Sequence, residues 1–157
     1  ASGQEWFGYP RPSSRRRLEF EFNLKHQLVA GGKWFSRNAE AIDLGTTQTP
    51  WLYTSGTSGM KSFEIPLRGK DDGAAKYTVR VYLASLEQQP AGLFDLSLQG
   101  QVVAKAIGVP AAADTAVNRV LVKEFTEVPV DETLKVELNH HDDQRPGAIA
   151  AIEVIRE

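Results

Sequence analysis

The stretch YTVRVYLA, residues 77–84, alternates along its whole length and places four large apolar side chains on one face. These are Tyr77, Val79, Val81 and Leu83. A period of two is typical of a strand with one buried face, because successive side chains of a strand point to opposite sides. The same period recurs on either side of this stretch, in LEFEFNL (18–24), FDLSLQG (94–100) and TLKVEL (133–138). These segments predict antiparallel strands whose apolar faces need a second layer.

Two further segments and the breaks between them complete the prediction. VLVKEFTEV (120–128) and AIAAIEVI (148–155) are apolar on both faces or nearly so, which predicts interior strands. Turn signals separate the strands, namely AGG at 30–32, GTSG at 56–59, GKDDG at 69–73, EQQPAG at 87–92 and DQRPG at 143–147. Only VPAAADTAVN (109–118) favours a short helix, which Pro110 limits. The sequence therefore predicts an all-β antiparallel sandwich.

The length and composition indicate one ordinary globular domain. The chain has 157 residues and a net charge of -2, and it contains no cysteine. We therefore expect a single domain over 1–157, without disulfides, a thiol nucleophile or a cysteine-ligated zinc. Residues 1–17 carry two prolines and three consecutive arginines, which predicts an irregular arm. The arginines at 15–17 suit either an anionic polysaccharide or solvent and nearby glutamates. We expect neither a nucleic acid nor a membrane as partner.

The stretch LYTSGTSGMKS (52–62) looks like the phosphate-binding loop of adenylating enzymes. In that loop a residue, usually proline, stands immediately before the lysine, whereas Lys61 here comes one step early. FEIPL (63–67) continues as a strand, so that no helix N-terminus is available to a phosphate. We therefore interpret the stretch as a glycine-rich hairpin or crossing loop.

From residue 50 onward the order of motifs resembles the malectin-like domains, a class of carbohydrate-binding modules. The motifs are PWLYTSG (50–56), YTVRVYLASLE (77–87), FDLSLQGQVVAKAIGV (94–109), ETLKVELN (132–139) and PGAIAAIEVI (146–155). The resemblance implies a jelly-roll-like sandwich whose loops hold a sugar. It also implies that aromatic residues before the 77–84 strand, here Trp51 and Tyr53, contact the ligand together with Asp142 or Asp143 before the last strand.

Other aromatic residues also qualify as sugar contacts. Tyr82 lies on the polar face of its strand, which suits a concave binding face. Trp34, together with Phe35, is a candidate second platform, although packing is the favoured interpretation for at least one of the two. SLEQQPAG (85–92) lacks the second aromatic pair that the family carries at this point. This departure favours a domain without sugar binding.

Clusters of polar residues are compatible with other chemistries. HHDDQR (140–145) suits a solvated loop, sugar hydrogen bonds, a metal or acid–base chemistry with Asp95, but neighbouring side chains of an extended segment point apart. Asp71 and Asp72 predict a solvated hairpin turn, with a structural calcium as the alternative. We expect no cofactor otherwise.

The leading hypothesis is a non-catalytic carbohydrate-binding module, an accessory domain of a larger secreted bacterial protein that processes polysaccharides. Its site would comprise Trp51, Tyr53, Tyr82, Asp142, Asp143 and Trp34. Its partners would be a carbohydrate and the rest of the parent protein, outside the cell or in the periplasm. The alternative is a structural or protein-docking sandwich without sugar binding, and an enzyme ranks third.

Overall fold

A computed structural model describes residues 27–29, 32–38, 49–85, 92–109 and 119–157. Every structural statement below concerns these ranges. The predicted arm at 1–17, the predicted strand at 18–24 and nearly all of the short helix predicted at 109–118 lie outside them. Within them, no helix is long and apolar enough to cross a bilayer.

The described residues form strands and one short 3-10 helix. In chain order these are β1 (Gln27–Val29), β2 (Lys33–Ser36), the 3-10 helix (Pro50–Tyr53), β3 (Ser55–Ser58), β4 (Ser62–Pro66), β5 (Ala75–Ser85), β6 (Phe94–Leu98), β7 (Gln101–Ile107), β8 (Arg119–Val130), β9 (Thr133–His140), β10 (Ala148–Ile149) and β11 (Ala151–Arg156). All strand pairs are antiparallel. The predicted all-β architecture is confirmed.

The strands form two layers. One layer is a sheet of five strands in the order β1-β4-β9-β6-β7. The other combines two three-stranded sheets, β10-β3-β2 and β11-β5-β8. Ala150 alone separates β10 from β11, and its backbone N–H donates a 2.8 Å hydrogen bond to the carbonyl of Tyr82. The last strand therefore passes from pairing with β3 to pairing with β5, and the chain folds as a β-sandwich.

The core lies between the layers and follows the alternation seen in the sequence. The inward residues of β5, β6 and β9 are Tyr77, Val79, Val81, Leu83, Phe94, Leu96, Leu98, Leu134, Val136 and Leu138, each at most 5% exposed. Burying one such side chain contributes about 1.5–3 kcal/mol. The predicted inward faces of the 77–84, 94–100 and 133–138 segments are confirmed.

The outer faces of β8 and β11 differ from the prediction of interior strands. Among the described strands, β5 holds the middle position and has β11 on one side and β8 on the other. Val122 is 42% exposed and Ile155 36%. The apolar side chains on the outer faces of β8 and β11 therefore lie on a partly exposed surface. The two strands are not buried on both faces, although their sequences are apolar on both.

The stretch at 52–62 is a corner between the two layers. Its strand β3 ends at Ser58 in one layer, and β4 begins at Ser62 in the other. Gly59 has a φ of 73°, a left-handed conformation that suits glycine. The chain thus crosses between the layers at 59–61 and continues as the predicted strand, whereas residues 55–58, predicted as part of the loop, form β3.

A bulge interrupts the pairing of β5 with β8. Tyr77 pairs with Val128 and Val79 with Phe125, so that two residues of β8 oppose Thr78 alone. One of those two, Glu127, has a φ of 57°. Its backbone N–H donates a 2.9 Å hydrogen bond to the side-chain carboxylate of Glu157. The bulge is therefore held by a side chain instead of a ladder hydrogen bond.

Candidate functional site

The outward residues of β5 and their cross-strand neighbours form a surface that we call the Tyr82 face. Tyr82 lies between Ala151 of β11 and Val122 of β8, and Arg80 lies between Glu153 and Glu124 in the next row. These side chains lie on the same face of the sheet because every second residue of a strand points to the same face. The Tyr82 face thus combines an aromatic row with a charged row directly beside it.

A buried carboxylate joins the two rows. Oε2 of Glu153 accepts a hydrogen bond of 2.8 Å from the Tyr82 hydroxyl and one of 3.1 Å from Nη1 of Arg80. Glu153 is only 8% exposed. Nε of Arg80 donates to Glu124 on the other side. A carboxylate this buried needs such partners, since an unpaired buried charge is costly. The network fixes the position of the Tyr82 ring.

This environment changes two pKa values. Burial, followed by the hydrogen bond to Glu153, raises the pKa of Tyr82 from its ordinary value near 10 to about 12. Hydrogen bonds to Glu124 and then to Glu153 raise the pKa of Arg80 above its already high value. Near neutral pH the phenol is therefore a neutral donor and the guanidinium a fixed cation.

Tyr82 should be a late-titrating tyrosine. Because its pKa is higher in the folded chain than in the unfolded one, its contribution to stability is fully present below about pH 10 and is lost as pH rises through about 12. Rapid pH-jump absorbance at 295 nm should show a phenol ionising near pH 12, and Tyr82→Phe should remove that phase. The same protein in denaturant, in which all tyrosines titrate near pH 10, is the control. Ionisation of Tyr82 near pH 10 in the folded protein would contradict the assignment.

The 3-10 helix covers one end of the Tyr82 face. Pro50 at its first position suits a helix start, and the Thr54 hydroxyl donates a 3.0 Å hydrogen bond to the carbonyl of Trp51. Leu52 and Tyr53 are 7% and 3% exposed and pack in a small cluster with Ala84, next to Tyr82. A 3-10 turn spaces side chains by about 120°, so that Trp51 points elsewhere and is 50% exposed.

The structure brings two of the predicted residues, Tyr53 and Tyr82, into contact. The rings of Tyr53 and Tyr82 meet edge to face, with centroids 6.0 Å apart and planes at 62°. Trp51 directly precedes the Leu52–Tyr53 pair that packs beside Tyr82. Tyr53, which the sequence suggests as a rim residue, is buried. It therefore supports the ring of Tyr82, which is partly buried, whereas Trp51 is half exposed.

Asp142 and Asp143 lie apart from this group. They belong to the 141–147 loop, which contacts the chain near Gly59 at one end of β3, whereas the 3-10 helix precedes the other end. The length of β3 alone separates the two ends by about 10 Å. Asp142 serves its own turn, since its carboxylate accepts hydrogen bonds from the backbone N–H of Gln144 and from Nε of Arg145. These two donors, in that order, lower its pKa. Asp143 is exposed.

Trp34 and Phe35 belong to β2 and lie on opposite sides of its sheet. Trp34 pairs with Thr57 of β3, and that threonine pairs with the core residue Ile149. Trp34, partly buried, thus shares the inner side of its sheet. Phe35 pairs with Gly56 and lies on the opposite side. Because the two neighbouring rings face opposite ways, they do not form a joint platform.

The two histidines at 140 and 141 point apart, as the sequence predicts for an extended segment. His140 accepts a 3.2 Å hydrogen bond at Nδ1 from the backbone N–H of Gly147 and donates from Nε2 to the carbonyl of Met60 at 2.8 Å, which assigns the Nε2–H tautomer. His141 Nε2 lies 2.8 Å from Oδ1 of Asp95. The Ala106 backbone N–H and then His141 lower the pKa of Asp95. Both imidazoles thus hold backbone or strand ends in place.

The turn at 69–73 is exposed and closes on itself. Oδ2 of Asp72 accepts a 2.9 Å hydrogen bond from the backbone N–H of Gly69. The turn joins β4 in one layer to β5 in the other, so it is not the turn of a hairpin as predicted. In the ranges that the structure describes, no group of three or more His, Cys, Asp or Glu side chains is placed to hold a metal ion.

Comparisons with known proteins identify similar folds. No family profile and no curated protein sequence matches the chain. Among solved structures, the chain is similar to two structures of β-glucuronidase from Bacteroides uniformis. A calcium-binding mutant of β-glucuronidase 2 gives a TM-score of 0.60 at 13% identity. A second structure of the enzyme gives 0.58 at 14%. Each match covers 82% of this chain and 14% of the enzyme chain.

A plant structure is similar as well. It is the complex of the peptide RALF23 with FER and LLG2, matched with a TM-score of 0.55 and 16% identity over 78% of this chain and 38% of the other. At such low identities these likenesses concern the fold alone. They are consistent with the malectin-like sandwich that the motifs from residue 50 onward resemble. The chain spans 14% of the β-glucuronidase chains and 38% of the plant chain.

Arg80, Glu124 and Glu153 are site residues that sequence reasoning did not single out. Arg80 and Glu153 are 73 positions apart, and Arg80 and Glu124 are 44 apart. Only the register of β5 with its neighbours brings them together. In the sequence, these residues differ from core residues only in their position on the solvent-facing side of each strand. Every other solvent-facing residue shares that position, so it does not identify a site.

Proposed function

We propose that the protein binds carbohydrate on the Tyr82 face, with Trp51 and Tyr82 as the aromatic contacts. The observation that carries this proposal is a fixed, partly open tyrosine ring beside a row of charged hydrogen-bonding groups, at the foot of a 3-10 helix that presents an exposed tryptophan. Pyranose rings offer C–H faces that pack on aromatic rings, and their hydroxyls need charged or amide partners. The Tyr82 face supplies both.

Each residue has a separate task in this proposal. Trp51 and Tyr82 contribute apolar surface for a sugar ring, and Glu124 and Arg80 exchange hydrogen bonds with its hydroxyls. Glu153 holds Tyr82 and Arg80 in position from below. Tyr53 supports Tyr82 from the side. Binding on a prearranged surface avoids the entropic cost of ordering it when the sugar arrives.

We further propose that the domain is non-catalytic and serves a larger secreted protein. The described carboxylates of the Tyr82 face all have partners: Arg80 and Tyr82 for Glu124 and Glu153, Lys76 for Glu127, and Thr78 for Glu157. The pair formed by His141 and Asp95 lies on the other layer. An attached enzyme or repeated modules would raise the effective affinity of a weak single site. The β-glucuronidase chains of similar fold are several times longer than the matched region, which supports the idea of one domain among others.

Trp51→Ala should weaken glycan retention without unfolding the domain. Trp51 is half exposed, and losing a stacked ring should cost about tenfold in affinity, which corresponds to about 1.4 kcal/mol. The measurement is affinity electrophoresis through gels containing laminarin, xylan, hydroxyethyl cellulose or galactan. Val102→Ala, which removes a 54%-exposed apolar side chain from β7 in the other layer, is the matched control.

Two outcomes would count against this proposal. Equal retention of the wild type and Trp51→Ala on a gel that binds the wild type would remove Trp51 from the site. Retention on none of the gels would favour the alternative of a protein-docking sandwich, and the exposed Val122 and Ile155 would then be the first surface residues to test.

A further inference from the structure

The charged side chains of the Tyr82 face are predominantly acidic. Lys76 and Arg80 are its described cations, while its described carboxylates belong to Glu124, Glu127, Glu153 and Glu157. Among the residues that the structure describes, two positive and four negative charges give this surface a net charge of -2. The contacts place all six on one side: Arg80 contacts two of the glutamates, Lys76 contacts Glu127, and Glu157 accepts from the outward hydroxyl of Thr78.

Both cations already bind carboxylates of the protein. Nζ of Lys76 lies 3.2 Å from Oε1 of Glu127, and Arg80 bridges Glu124 and Glu153. The pKa of Glu157 is lowered, first by the backbone N–H of Glu127 and then by Thr78. An anionic group on a ligand would have to displace a glutamate from a guanidinium or ammonium and would still meet the remaining carboxylates. A neutral hydroxyl meets no such penalty.

We infer that the Tyr82 face selects neutral and amino-sugar glycans and excludes glycans that carry carboxylate or sulfate groups, an inference that rests on the proposed function. Hydroxyls can donate to Glu124 and accept from Arg80 without breaking the ion pair. The ammonium of an amino sugar is attracted by the net negative charge. A uronate or sulfate is repelled, and the repulsion is strongest at low ionic strength.

The test compares glycans that differ in charge but share a backbone or sugar stereochemistry. In the first pair, neutral hydroxyethyl cellulose is compared with anionic carboxymethyl cellulose. In the second, neutral galactan is compared with anionic polygalacturonate. Chitosan is the amino-sugar probe. The wild type should be retained by a neutral member and not by its anionic partner. The double variant E124Q/E127Q raises the charge of the Tyr82 face by two, and it should raise the anionic-to-neutral retention ratio about fivefold at low salt.

A matched control separates this local effect from net charge. The double variant E64Q/E137Q changes the charge of the chain equally, but on β4 and β9 in the other layer. Its retention ratio should stay close to that of the wild type. Salt at about 1 M, where the screening length is about 3 Å, should reduce the difference between the two double variants.

Each outcome has a distinct meaning. Equal retention of the wild type by neutral and anionic members would overturn the selectivity and leave sugar binding intact. The same ratio for E124Q/E127Q as for E64Q/E137Q would overturn its assignment to the Tyr82 face. Retention on neither member of any pair, nor on chitosan, would overturn both the selectivity and the proposed function.

Discussion

Gly56→Ala should destabilise the domain by about 3 kcal/mol or more, because it overfills a site bounded by backbone. A Cβ at position 56 would lie 2.2 Å from the carbonyl oxygen of Ile149 and 2.8 Å from Cα of Ala150. Cζ of Phe35 would lie 2.8 Å away on the other side. β10 and β3 cannot move apart to make room without breaking the hydrogen bonds between them. Thermal unfolding should show a midpoint about 10 °C lower.

Gly69→Ala is the matched control for this substitution. Its Cβ would find no atom closer than Oδ2 of Asp72, at 3.4 Å, and the position is exposed. Such a surface change usually alters stability by less than about 0.5 kcal/mol. Equal midpoints for the two variants would show that the close approach of β3 and the last strand is not a constraint on the fold.

Tyr53→Ala should both destabilise the domain and abolish glycan retention. The side chain is 3% exposed and meets Tyr82 edge to face, so that its removal leaves a cavity beneath the 3-10 helix. Replacing a buried aromatic by alanine costs about 3–5 kcal/mol in a core, and we expect about 3 kcal/mol for this small cluster. Chemical denaturation measures the loss, and the same affinity gels measure retention.

Tyr53→Phe distinguishes support from direct contact. It keeps the ring against Tyr82 and removes only the hydroxyl, which should cost about 1 kcal/mol and leave retention nearly unchanged. If instead Tyr53→Ala proved as stable as the wild type but no longer bound glycan, Tyr53 would be a ligand contact at an open rim and its burial would have to be reconsidered.

The layers of the fold could be predicted because alternation is a local property. Over 77–83, 94–98 and 134–138 each inward residue is large and apolar and each outward one is at least partly exposed, so that the segment alone reveals its buried face. The same reasoning failed for β8 and β11. Val122 and Ile155 are apolar but outward, and nothing local distinguishes an apolar residue on a partly open surface from one in a core.

The candidate site was harder to predict because it depends on geometry that spans the chain. The motifs pointed to Trp51 and Tyr53, and the strand alternation pointed separately to Tyr82, whose ring meets that of Tyr53. They did not show which ring is buried, since that depends on the direction in which a 3-10 turn beginning at Pro50 presents its side chains. Nor did they show Glu153, whose contact with Tyr82 spans 71 positions and requires the register of β11 on β5.

The bulge opposite Thr78 bears on how copies of the domain behave at high concentration. A straight, exposed strand edge invites another chain to add to it, and this is a common route to aggregation. In β8 the left-handed conformation of Glu127 bends the strand, and the Glu157 carboxylate occupies the backbone N–H of that residue. The Lys76–Glu127 ion pair adds charge at the same place. Among the described strands β8 ends its sheet, and a strand bent at Glu127 offers a less regular ladder to any strand added there.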